Sequence, residues 1–176
     1  MRAKAMLTLA LSLVASPVHA GSILHLPPSP LMPVSDGWSL YRNERFGFSV
    51  EYPSALFVPE PSPANDDGQT FRTRAGRASL RVSGRFNSLG ESLEQVRAAE
   101  INARSRNTIT YNHSSGRGFV LSGYAGEDIF YVRVELSAGG DVINTLEVTY
   151  PRNWKGQLDP AIARISRSFR AGRPAS

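Results

Sequence analysis

The sequence predicts an α+β domain, an antiparallel β-sheet with helices packed on its faces. Three observations lead there. Apolar and polar residues alternate with period two in several short segments. Two other segments, around 89–105 and 159–169, switch to helical spacing. The later strands follow one another through short turns, the pattern of an antiparallel meander rather than the strand–helix–strand rhythm of nucleotide-binding folds.

The elements follow from the N-terminus. Arg2 and Lys4 precede a short uncharged apolar run at 5–15, and Val18-His19-Ala20 places small residues at both positions that a signal peptidase inspects. Residues 1–20 are therefore expected to be a signal peptide cut after Ala20. The run falls short of the ~20 apolar residues of a spanning helix, so no stable membrane insertion is expected after cleavage. No twin arginine is present, which favours the general secretory route and a periplasmic or secreted destination. Residues 21–38 contain Pro27, Pro28, Pro30 and Pro33 and are expected to form a mobile leader, with a docking arm as its functional alternative. Residues 39–170 form a single domain and 171–176 a flexible tail. A domain of about 130 residues is large enough to bury a core.

Within that domain, Phe46, Phe48, Val50 and Tyr52 alternate with Gly47, Ser49 and Glu51, a half-buried strand that Pro53 ends. A short strand is expected at 56–58, then a proline-rich loop to Gly68. Residues 69–74 and 77–86 read as a hairpin around Ala75-Gly76. The helix expected at 89–105 has Leu93, Val96 and Ala103 on one stripe, with Ser92 or Ser88 as its cap. Strands follow at Ile109 and Tyr111, 118–124, 129–136 and 142–150. A final helix is expected to start at Asp159-Pro160, Asp159 capping it and Pro160 in its first turn, with Ile162, Ile165 and Phe169 as its apolar stripe.

Composition narrows the function classes. The chain has no cysteine, which excludes disulfides, a thiol nucleophile, thiolate metal sites and lipid attachment at an N-terminal cysteine. The core alone must hold an exported domain of this kind. Removal of Arg2 and Lys4 with the signal peptide leaves 18 basic residues against 15 acidic ones, a charge of +3. So small a charge does not point to nucleic acid. No glycine-rich phosphate loop follows any strand, and no cofactor is expected.

The stretch YRNERFGFSVEYP, residues 41–53, resembles the opening signature of PsbP-like domains: an aromatic, any residue and asparagine, then Gly-Phe, then Tyr-Pro. DDGQTFRTRAGRASLRVSG resembles the hairpin of small exported bacterial proteins of that group. GFVLSGYAGEDIFYVRVEL, LEVTYP and IARISRSF follow in the same order. The resemblance spans about residues 41–169 and implies an α/β/α sandwich. The group is similar to the extrinsic subunit of photosystem II and to a nuclear-transport factor that binds a small GTPase, which implies a binding or assembly role. Nothing in these residues carries over photosynthesis or GTPase binding.

Candidate sites are few. Arg72 and Arg74 share one face of the first hairpin strand, and Arg77, Arg81 and Arg85 recur on the outward face of the second. Together they would form a cationic ribbon suited to an anion or an acidic partner, because guanidinium forks match carboxylate and phosphate; the competing reading is a soluble, aggregation-resistant edge. A histidine triad would need His113, with Ser114, Ser115 or Ser122 as nucleophile and Asp128 as acid. Glu127-Asp128 and Asp66-Asp67-Gly68 pair carboxylates, but both sit where turns choose Asp and Gly. Tyr124, Phe130, Tyr131 and Trp154 could line a pocket or belong to core and rim. Asn112-His113-Ser114 is a glycosylation triplet. The expected function is an exported, non-catalytic binding or accessory domain of the bacterial cell envelope, with a protein partner or small ligand. A hydrolase using carboxylates or His113 and a periplasmic small-molecule carrier are the alternatives.

Overall fold

The computed structural model describes residues 31–35 and 37–172. The expected signal peptide, the first ten residues of the leader and the last four of the tail lie outside the described residues. A three-stranded sheet comprises β1 (Leu31–Ser35), β2 (Trp38–Arg42) and β3 (Ser49–Pro53), in that order. The main sheet has seven strands: β4 (Phe57–Pro59), β5 (Gly68–Thr73), β6 (Ser79–Phe86), β7 (Thr108–Ser115), β8 (Gly118–Ala125), β9 (Asp128–Leu136) and β10 (Val142–Pro151). Their spatial order is β4-β5-β6-β10-β9-β8-β7, antiparallel throughout. Helix α1 (Leu93–Ala103) connects β6 to β7, and α2 (Lys155–Ser168) follows β10 through a 3-10 turn at Arg152–Trp154.

Alternation along the strands sorts the core onto both faces of the main sheet. On one face Leu80, Val82, Leu146 and Val148 meet Leu158, Ile162 and Ile165 of α2 and Tyr41, Val50 and Tyr52 of the small sheet. On the other, Phe119, Leu121, Phe130, Val132, Val134 and Ile143 meet Val96 of α1, with Leu93 and Ile101 at the margin. The α+β architecture with a helix on each face is thus observed. The face under α2 is shared with the small sheet.

Four expectations change in detail. Strand β1 falls inside the expected leader, so a mobile segment is not the description of Leu31–Ser35, which pairs antiparallel with β2. The alternation from Phe46 to Tyr52 is strand only from Ser49 onward. Before that the chain turns: the Asn43 carbonyl accepts from Gly47 N–H, its side-chain Oδ1 accepts from Phe46 N–H at 2.8 Å, and its N–H donates to Phe48 O. Gly47 adopts φ 70°, where a side chain is strained. Phe46 and Phe48 are nonetheless buried, so the alternation reported burial, not strand. Helix α1 is shorter than expected and starts after Ser92, whose Oγ accepts from Gln95 N–H while the Gln95 side chain accepts from Ser92 N–H.

Helix α2 starts earlier than expected, at Lys155, because the 3-10 turn after Pro151 already winds the chain. Pro160 therefore lies inside the helix. Asp159 is no cap; it accepts a hydrogen bond from the Tyr150 hydroxyl at 2.9 Å and pairs with Lys155. At the far end, Ser49 and Arg170 exchange backbone hydrogen bonds of 3.1 and 2.9 Å, and Ser168 Oγ accepts from Glu51 N–H. The exit from α2 thus covers the outer edge of β3.

Candidate functional site

Helix α1 packs over β8, β9 and β10 but leaves the same face of β5 and β6 open. By alternation that face presents Thr70 and Arg72 from β5, Ser79, Arg81, Ser83 and Arg85 from β6, and Thr145, Glu147 and Thr149 from β10. Register places Arg81 between Thr70 and Glu147, and Ser79 between Arg72 and Thr149. Over this floor lies an open hollow of about 480 Å³, walled by Glu60, Pro61, Pro63 and Asp67 of the β4–β5 connection. A second hollow of about 210 Å³ continues it past Arg85 toward Glu100 and Arg104.

The charges on this floor are mostly paired. Arg72 Nε contacts Glu60 Oε1 at 2.6 Å, and Arg85 Nη1 contacts Glu91 Oε2 at 2.7 Å. Arg104 bridges Glu100 and Glu147 and stacks over Phe130. The more exposed Arg72–Glu60 and Arg85–Glu91 pairs stabilise by about 0–1 kcal/mol each, so they order the surface more than they hold the fold, whereas Arg104 is only 12% exposed. Arg81 differs: among the described residues its side chain makes no hydrogen bond or ion pair.

The cationic ribbon is corrected accordingly. Arg72, Arg81 and Arg85 do share one face, but Glu60, Glu91 and Glu147 interleave with them. Arg74 and Arg77 sit in the turn beyond the strand ends, where Gly76 takes φ 67°, and line neither hollow. The result is a mixed-charge polar floor with Arg81 as its uncommitted cation.

The wall is built as firmly as the floor. Asn43 is fully buried, and its Nδ2 donates to Asp66 O at 2.9 Å. Asp66 is buried with φ 46°, a conformation Asp tolerates better than most residues. Gln69 Nε2 donates to Glu60 O at 2.6 Å and to Thr70 O at 2.9 Å, while Ser62 Oγ donates to Gln69 Oε1. The Asp66-Asp67 pair is thus a turn that one amide ties to the core.

No protein-family model and no curated protein matches the sequence. The fold does match solved structures. The cyanobacterial PsbP protein of Synechocystis sp. PCC 6803 superposes with a TM-score of 0.58, covering 78% of this chain and 94% of that one at 12% identity. The fold is PsbP-like. The Ran-binding protein Mog1p of Saccharomyces cerevisiae shares it at a TM-score of 0.51 and 9% identity, covering 72% of this chain and 90% of that one.

On this PsbP-like fold the remaining candidates separate. His113 is exposed on β7 opposite Val120, and neither Ser122 nor Asp128 bonds to it. Ser122 Oγ instead donates to Phe130 O at 2.9 Å. Glu127 lies in a turn in which Gly126 takes φ 62° and Glu127 O accepts from Arg152 N–H, and Asp128 opens β9. Among the described residues no three His, Asp or Glu side chains gather as a metal site. The aromatic patch does not form: Phe130 is buried under α1, whereas Tyr124, Tyr131 and Trp154 pack against the core on the opposite face.

A shallow hollow of about 530 Å³ lies between α2 and β7–β9, lined by Tyr111, Tyr131, Tyr150 and Ile162 among others. Tyr131 and Ser166 hydroxyls share a 2.6 Å hydrogen bond. Burial pushes the Tyr131 and Tyr150 phenols above their ordinary range, and the Asp159 carboxylate accepting from Tyr150 adds to the effect. Neither phenol is tuned toward a base near neutral pH. Sequence reasoning missed Asn43, Glu60, Gln69 and Glu147. Only Asn43 left a signal, as the asparagine of the opening motif.

Proposed function

We propose that this protein is an exported, non-catalytic binding or accessory domain of the cell envelope that engages a partner through the polar floor of β5, β6 and β10. The observation that carries the reading is Arg81: an arginine with no side-chain partner among the described residues, set in an open hollow whose other arginine, Arg72, is already paired with Glu60. An unpaired guanidinium beside hydroxyls of Thr70, Ser79 and Ser83 is arranged to receive a carboxylate or another oxyanion from a partner. The interleaved glutamates favour a mixed-charge protein surface over a highly charged polyanion, whose repulsion by Glu60 and Glu147 would oppose binding. The Ran-binding neighbour supports a protein partner by analogy of fold alone. The N-terminal pattern of residues 1–20 supports export. None of the three hollows described is the deep apolar cavity a small-molecule carrier would use.

The test is crosslinking and affinity capture from native envelope fractions with wild type and Arg81→Glu. A partner recovered with wild type and reduced at least tenfold with the variant is expected. Equal recovery with both, or wild type that captures nothing in the envelope, would overturn the reading.

A further inference from the structure

Two sheets leave four edges among the described residues, and three of them are blunted. The outer edge of β3 is taken up by Ser168 and Arg170. Strand β4 is three residues long and ends in Pro59. Strand β1 contains Pro33 and a register irregularity between Pro33 and Ser35. Short length, proline and covering segments are the usual means of keeping an edge from pairing with another chain.

Strand β7 has none of them. It runs eight residues, Thr-Ile-Thr-Tyr-Asn-His-Ser-Ser, with no proline, aspartate, glutamate, lysine or arginine. It is exposed almost throughout, and it pairs only with β8. Its one irregularity lies between Ile109 and Tyr111, which leaves Tyr111–Ser115 in regular register with β8. The outer N–H and C=O groups of this stretch have no partner strand among the described residues.

We propose that β7 is a self-association edge, pairing antiparallel with the β7 of a second copy of this chain. The sequence of the strand is self-complementary about Asn112. A twofold axis there sets Asn112 against the partner subunit's Asn112 and Tyr111 against the partner subunit's His113. The Tyr111–His113 pairs are aromatic and favourable across an antiparallel ladder, and each Asn112, whose Oδ1 accepts from Arg97, keeps its amide N–H groups for the other copy. Tyr111 and His113 already lie on one face with ring centroids 6.2 Å apart, and Tyr111 is 52% exposed. The second copy would extend that ring pair into a cluster of four. The strand itself carries no charged side chain; the cation nearest the axis, Arg97 of α1, donates to Asn112 Oδ1 at 2.9 Å and is paired with Glu94 at 2.8 Å, so each copy brings an ion pair to the axis rather than a bare charge. The main sheet would then run continuously through both copies, leaving the Arg81 floor open on each. An edge contact of this size is at the weak end of protein interfaces, so the dimer forms with rising concentration.

Sedimentation of the purified protein over a concentration series tests this, with Tyr111→Glu, His113→Lys and the double variant alongside. Wild type is expected to pass from monomer to dimer. Each single variant loses the dimer, and the double variant regains it, since the axis at Asn112 sets each introduced carboxylate against an introduced ammonium. Circular dichroism of the variants shows that the fold is kept. Wild type that stays monomeric at every concentration overturns the proposal, as does a dimer that survives both single variants. Loss without recovery in the double variant also overturns it, because the pairing at Asn112 would then be wrong. A monomer that takes up an extended peptide along β7 would assign the edge to another partner and overturn it equally.

Discussion

Asn43 ties together two segments that are distant in the sequence. It closes the turn that lets Phe46 and Phe48 enter the core, and it anchors the backbone of Asp66 at the rim of the polar hollow. Replacement by alanine leaves the Phe46 N–H and the Asp66 carbonyl unsatisfied in a buried setting, where each such group costs about 1–3 kcal/mol. Asn43→Ala is expected to lower the free energy of unfolding by about 2–4 kcal/mol in urea titration. A change within ±0.5 kcal/mol, the range of ordinary surface substitutions, would show that solvent replaces both bonds. Arg81 is the opposite case. It carries no internal bond, so Arg81→Glu should cost at most about 1 kcal/mol, from the new carboxylate set opposite Glu147, while it removes partner capture.

At the scale of elements, α2 is the most instructive. A proline in a helix interior removes one hydrogen bond and crowds the carbonyl four residues back, here that of Gly156. Pro160→Ala is expected to stabilise the protein by about 1–3 kcal/mol, the helix gain reduced by the extra freedom of the unfolded chain. An unchanged or lowered urea midpoint would show that the helix accommodates the ring without strain. The helix was legible in the sequence because Ile162, Ile165 and Phe169 keep helical spacing. Its start was not, because Asp159-Pro160 mimics a cap, and nothing local announces that the chain is already wound from Arg152. The strands 118–124, 129–136 and 142–150 were read nearly to the residue, since their alternation meets a core on both sides. The small sheet escaped because Phe46 and Phe48 alternate like a strand while lying in a turn. The polar floor was half legible. Alternation puts Arg72, Arg81 and Arg85 on one face, but Glu60 and Glu91, which pair with Arg72 and Arg85, come from loops, and only folding brings those together.

The described residues form an offset sandwich. One layer, α1, covers one half of the main sheet, and α2 with the small sheet covers chiefly the other half on the opposite side. Two open quarters result, one polar around Arg81 and one tyrosine-lined beside α2. The phenols carry a further property. Burial raises Tyr52, Tyr131 and Tyr150 above the ordinary 10.0. Above about pH 10 the unfolded chain gives up these protons before the folded one does, so stability falls as pH rises from there, while at neutral pH both states keep them and nothing is lost. Lysine titration scarcely obscures this, as the chain has only Lys4 and Lys155. Unfolding free energies measured between pH 9 and 11.5 should decline, and Tyr150→Phe should make the decline shallower; an equal slope in the variant would discount the burial of Tyr150. The contact between Ser49 and Arg170 has a consequence in time. A ribosome delivers Ser49 long before Arg170, yet the outer edge of the small sheet stays unpaired until Arg170 arrives. The outer edge of β3 is therefore finished by residues far downstream of it in the sequence, and a chain in which those residues have not yet been made has no completed domain.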